Sequence, residues 1–144
     1  MRAFIIILVC LPLATCSKEQ QNTITVQNAW IREAAPNAST MAGYLTINNT
    51  TTQDRVLTFA RSQNFNAIEF HRTVIKDGVV KMHHQDELVL LAGESIQFKP
   101  GDFHLMLIGP KTEFKANDEV MITLCFKNVS TIEEIDIIMP IKKP

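Results

Sequence analysis

From Thr23 onward, apolar and polar residues alternate in short runs. A period of two is the signature of strands that bury one face. The runs are Thr23–Arg32, Met41–Asn48, Arg55–Ala60, Ala67–Ile75, Val79–His84, Glu87–Leu91, Ser95–Lys99, Phe103–Ile108, Val120–Lys127 and Ile132–Ile141. Turn residues separate them: Lys76-Asp77-Gly78, Ala92-Gly93-Glu94 and Pro100-Gly101-Asp102. Asp-Gly tolerates positive φ, so it predicts a tight hairpin between the fourth and fifth runs. Glu33 to Thr40, with Pro36, reads as an irregular loop. No segment sustains a 3.6-residue period and no internal repeat is present, so the chain is expected to be all-β, a sandwich or a barrel.

Composition narrows the function classes. The chain has 144 residues, with 14 Lys+Arg against 15 Asp+Glu and a net charge of −1. That length suits one domain, and an apolar share of 46% supports a core rather than disorder. Without a basic run there is nothing to meet a phosphate backbone, which argues against nucleic acid as a partner.

The first residues have a different character. Arg2 precedes an apolar run from Phe4 to Leu13, shorter than the ~20 residues of a membrane-spanning helix. A positive start and a short apolar segment is the layout of a secretory signal. Leu13-Ala14-Thr15-Cys16 resembles a bacterial lipobox, which implies lipidation at Cys16. The expected organisation is a signal at 1–16, a polar tether at 17–22 and a β domain at 23–144. The expected location is the periplasm, on a membrane anchor. Ser17, where inner-membrane retention uses Asp, points to the outer membrane; without lipidation the protein would be secreted. Cleavage leaves Cys125 as the one thiol of the domain, in an apolar run where it reads as a small core residue. Trp30, Met41 and Met121 also read as packing. Asn-x-Ser/Thr matches occur at Asn37, Asn49 and Asn128 among others, and Thr/Asn-rich turns produce them by composition.

The histidines and methionines carry the candidate chemistry. His104 and Met106 share one face of a strand, about 7 Å apart, while Phe103, Leu105 and Leu107 take the other. His71 and Met82 flank the Asp-Gly hairpin, near the same end of neighbouring strands. Two imidazoles and two thioethers, with no thiolate or carboxylate, suit soft Cu(I) rather than Zn(II), Ca(II) or Mg(II). His84 shares the strand parity of Met82 and His83 faces the other way. These two are either exposed polar residues or an auxiliary metal site.

The spacing His71-x10-Met82-x21-His104-x-Met106 resembles that of the PCuAC family of periplasmic Cu(I) chaperones. So do Ala29-Trp30-Ile31-Arg32, Ala42-Gly43-Tyr44, Ile68-Glu69-Phe70-His71 and Lys99-Pro100-Gly101-Asp102-Phe103-His104-Leu105-Met106-Leu107. The resemblance spans roughly Val26 to Phe126. It implies a cupredoxin-like Greek-key β-sandwich or barrel holding one Cu(I) per chain at its surface on His71, Met82, His104 and Met106. It implies a carrier without catalytic turnover. It also implies delivery to a cytochrome oxidase copper-site subunit, with a Sco-type assembly protein as a further partner. The resemblance gives Arg32 no physical role.

Two other readings compete. An electron-transfer cupredoxin needs a Cys thiolate with two His nearby, and no His or Met follows Cys125 until Met139. An Ig-like binding or adhesion module would have no use for copper at all. No G-x-S-x-G element supports a hydrolase.

Overall fold

The computed structural model describes residues 22–128 and 131–143. The 1–16 signal, Cys16 and the tether up to residue 21 lie outside the described residues. Ten strands follow in order: β1 (Ile24–Arg32), β2 (Thr40–Asn49), β3 (Arg55–Arg61), β4 (Phe65–Lys76), β5 (Val79–Gln85), β6 (Leu88–Leu90), β7 (Ser95–Phe98), β8 (Phe103–Pro110), β9 (Glu119–Lys127) and β10 (Ile132–Lys142). Each run of alternating residues forms the strand expected of it, with ends shifted by a residue or two.

Seven of the strands close on themselves. Their order is β4-β8-β2-β1-β10-β9-β3, and β3 returns to β4 through Ala60 opposite Ile68. β5 extends outward from β4, β6 from β3, and β7 pairs with β2. The pairing of β1 with β10 is parallel, Ile31 facing Ile141; the other pairs are antiparallel. The result is an all-β, cupredoxin-like barrel, and closure leaves few free strand edges.

Alternation fills the interior. On β8, Leu105 and Leu107 are fully buried while Met106 between them is partly exposed. Leu45, Leu57, Ile122, Leu124, Phe126 and Met139 complete the same core. Gly43 lets β8 approach closely: a Cβ there would stand 3.2 Å from the Leu105 Cβ and from Leu107 Cδ1. The Asp-Gly hairpin forms as expected, with φ of 54° at Asp77 and 76° at Gly78.

Two packing expectations fail. Trp30 shares parity with Ile24 and Val26, yet it is not in the core. A bulge between Gln27 and Trp30, with Asn28 at φ 53°, inserts a residue and reverses the parity of β1. Ile31 is thereby turned inward, and Trp30 stacks outside on Tyr44 with ring centroids 4.7 Å apart. Met121 is 55% exposed because Val120 and Ile122 take the inward positions of β9.

Asn49 serves the fold. Its side chain is buried; Nδ2 donates to the carbonyls of Gln53, Leu90 and Leu91, and Oδ1 accepts from the amide and hydroxyl of Thr51. That network ties the end of β2 to the segment following β6. The apparent glycosylation pattern at Asn49 is thus a sealed structural pin.

Candidate metal centre

The outer faces of β5, β4 and β8 hold the histidines and methionines of interest. On β4 the outward residues are Glu69, His71 and Thr73, with Ile68 and Phe70 turned to the core. The register then sets the neighbours. His71 lies opposite His104 of β8 on one side and opposite His84 of β5 on the other. Its ring centroid is 5.9 Å from that of His104 and 5.4 Å from that of His84. Met82 pairs with Thr73, one outward position further along. Met106 sits between Glu69 of β4 and Ala42 of β2.

Met82, His104 and Met106 line one open cavity of about 280 Å³. Its opposite wall is the irregular segment after β1, including Glu33, Ala34, Ala35 and Ala38. This loop covers the face of β8, so His104 is buried, at 8% exposure, although it points away from the barrel interior. Met82 is 58% exposed at the rim. Arg32 also lines the cavity, and its guanidinium lies 5.7 Å from the centre of the Tyr44 ring. The four residues singled out by spacing therefore fall on one patch: His71 against His104, and the two methionines beside His104.

Hydrogen bonds orient both rings. His104 Nδ1 stands 3.1 Å from the Asp102 carbonyl oxygen, which can only accept. The proton is thus on Nδ1 and the lone pair on Nε2, which leaves Nε2 as the nitrogen open to a metal. Asp102 is held in turn. Its carboxylate accepts from Arg72 Nε at 3.0 Å, and the guanidinium lies 4.8 Å from the centre of the Phe103 ring. The Asp102 carbonyl also accepts from the Thr73 amide at 3.1 Å. His71 Nε2 lies 2.8 Å from Glu69 Oε2, while its Nδ1 is buried without a hydrogen-bond partner. A buried ring nitrogen left unsatisfied is costly unless something binds there.

Glu69 was not apparent as a site residue from the sequence. It precedes His71 by two positions, and that parity was the available signal. One donor atom from each of Glu69, His71 and His84 lies within 4.8 Å of the others. His84 Nδ1 is 3.6 Å from Glu69 Oε2, and its Nε2 is 3.4 Å from Asp86 Oδ1. His83 is exposed on the opposite face, across from Arg72, and is not brought into this group.

Cys125 lies elsewhere. It is buried on β9, which pairs with β3 and β10, and its Sγ is 3.8 Å from Glu134 Oε1. Burial pushes the thiol up from its ordinary value and the Glu134 carboxylate adds to this; Arg61 opposes it.

The fold and this cluster of outward histidines define the class: a cupredoxin-like barrel with candidate metal donors on three adjacent strands. The chain belongs to the LpqE-like family, which carries a lipoprotein name, and it matches that family's pattern over residues 24–137. It is 38% identical over 89 residues to protein RP573 of Rickettsia prowazekii, covering 61% of this chain and 49% of that one. It is 27% identical over 114 residues to the lipoprotein Lxx21020 of Leifsonia xyli, covering 78% of this chain and 68% of that one. The chain thus spans about half the length of the first relative and about two thirds of the second. Among solved structures it resembles the copper-bound PCuAC domain of PmoF2, with a TM-score of 0.70 at 18% identity, over 84% of this chain and 93% of that domain. It also resembles the Cu(I) form of DR1885 from Deinococcus radiodurans, with a TM-score of 0.69 at 24% identity, over 91% of this chain and 86% of that one. These likenesses establish the shared fold.

Proposed function

We propose that this protein is an extracytoplasmic Cu(I) carrier whose cargo is held by His71, Met82, His104 and Met106. One observation carries the reading. The β4–β8 register sets His71 against His104, and Met82 and Met106 line the cavity in which His104 sits. Two imidazoles and two thioethers match the softness of Cu(I). The chemistry also fits a carrier. Neutral donors at a rim let a partner replace them one at a time, whereas a closed thiolate cage would retain the ion. The free Nε2 of His104 and the unpartnered Nδ1 of His71 are nitrogens with no competing role. Copper-bound neighbours of the same fold, PmoF2 and DR1885, support the assignment.

The lipoprotein names of the family and of the Leifsonia relative support anchoring through Cys16 at the periplasmic side of a membrane. The copper is delivered to an oxidase copper-site subunit or to a Sco-type assembly protein. The protein itself performs no catalytic turnover.

Titration of the purified chain with Cu(I) against a competing chelator tests this reading. One tight Cu(I) per chain is expected, with mixed nitrogen and sulfur neighbours in X-ray absorption. Undiminished affinity in a His104→Ala/Met106→Ala double variant would overturn the site.

A further inference from the structure

His71 has two nitrogens, and they meet different surroundings. Nε2 faces the Glu69 carboxylate at 2.8 Å, and His84 reaches the same carboxylate oxygen through Nδ1 at 3.6 Å. Nδ1 of His71 is buried and has no partner. We propose that Glu69, His71 and His84 form a second site, for a divalent cation of the Cu(II) or Zn(II) type. It shares His71 with the Cu(I) donors, so that filling one site disables the other.

Donor chemistry separates the two sites. Two imidazoles and a carboxylate are borderline and hard donors, which suit Cu(II) and Zn(II); without a thioether they are a poorer match for a soft monovalent ion. The three donor atoms already lie within 4.8 Å of one another, so side-chain rotation alone can gather them. Asp86, next to Nε2 of His84, is placed to orient that ring as carboxylates do behind metal-bound histidines. His84 and Glu69 are accessible, so a cation can enter from solvent.

Exclusion follows from a single proton. A neutral imidazole carries one N–H, and an ionised carboxylate only accepts hydrogen bonds. While Nε2–H of His71 donates to Glu69, the lone pair is on Nδ1. A divalent cation on Nε2 needs the lone pair there, which sends the proton to Nδ1. The nitrogen open to Cu(I) then becomes a donor and cannot bind it. This second step rests on the Cu(I) reading proposed above; the divalent site itself rests only on the Glu69–His71–His84 geometry.

The test uses the full untagged chain and two metals. Cu(II) added to the apo protein should give a stoichiometric paramagnetic signal with nitrogen couplings. Glu69→Gln and His84→Ala should weaken Cu(II) binding by at least about 10-fold, with an unchanged circular dichroism spectrum. His84→Ala should retain Cu(I) binding. Met106→Ala should do the reverse, losing Cu(I) while keeping the Cu(II) signal. Zn(II), which accepts no electron, should lower Cu(I) affinity in the parent chain and leave it unchanged in His84→Ala. Cu(II) affinity that survives both Glu69→Gln and His84→Ala overturns the proposal, as does Cu(I) affinity indifferent to Zn(II). A chain that takes Cu(II) on these residues but no Cu(I) supports the second site and removes the carrier reading.

Discussion

His71 and His104 stand directly opposite each other across β4 and β8, their ring centroids 5.9 Å apart. They meet because the barrel places β4 beside β8, although three strands intervene in sequence. If the two rings hold one ion, their contributions are coupled. Replacing either by Ala is expected to weaken Cu(I) binding by more than about 10-fold, the scale reached by outer partners alone. The double variant should be much less than additive, because a site that has lost one ring has little left for the other to lose. A double-mutant cycle of chelator competition checks this; full additivity would mean the rings act separately.

On the proposed Cu(I) reading, Arg72 is expected to act on binding through Asp102. It is half-exposed, so its ion pair with Asp102 contributes only about 0.2–1 kcal/mol to stability. Its larger effect is on position, since the Asp102 carbonyl fixes the His104 tautomer. Arg72→Ala should therefore leave the melting temperature nearly unchanged and weaken Cu(I) binding by up to about 10-fold. Arg72→Lys should recover part of the affinity. Equal affinity in all three proteins would show that the carbonyl is held by the backbone alone.

Asn49 should be one of the most sensitive polar positions. Asn49→Ala removes the side-chain bonds to the Gln53, Leu90 and Leu91 carbonyls and the acceptor of the Thr51 amide, while the Thr51 hydroxyl keeps the Gln53 carbonyl and the Leu91 carbonyl keeps the Glu94 amide. A loss of about 2–3 kcal/mol is expected, from the buried hydrogen bonds removed together. Denaturant unfolding measures it. Cu(I) stoichiometry at low denaturant should stay the same, because the network joins β2 to the segment after β6 rather than to β4 and β8.

Cys125 sets an alkaline limit on stability. Its thiol is raised in the fold, by burial first and then by Glu134, so the folded chain holds the proton more tightly than the unfolded chain. The stabilisation is complete below the ordinary thiol value of 9.0 and is lost as pH rises through the higher folded value. Stability measured from pH 8 to about pH 11 should fall in the parent and fall less in Cys125→Ala. Parallel slopes would assign the decline to other groups.

The strands were legible because their chemistry is local. Period-two runs, the Asp77-Gly78 turn and the Pro100-Gly101 turn define elements without reference to distant residues. Barrel closure was not legible, since the Ala60–Ile68 pairing leaves no mark in either strand alone. Trp30 shows the limit within a single strand: one inserted residue at Asn28 reverses which positions face inward, and nothing in the alternation announces it. The metal donors could be read as a set, because parity put His104 and Met106 on one face and a hairpin joined His71 to Met82. Their surroundings could not. The loop that buries His104 and the carboxylate that meets His71 are products of tertiary packing, and so is the pairing of His71 with His84 rather than with Met82.

The parallel pairing of β1 with β10 joins the first described strand to the last. No shorter stretch of the chain can complete the barrel, for its first stave has no partner on one side until residues 132–142 are present. Contacts of such long sequence separation form slowly. Closure of the barrel must therefore wait until the chain has extended through residue 142.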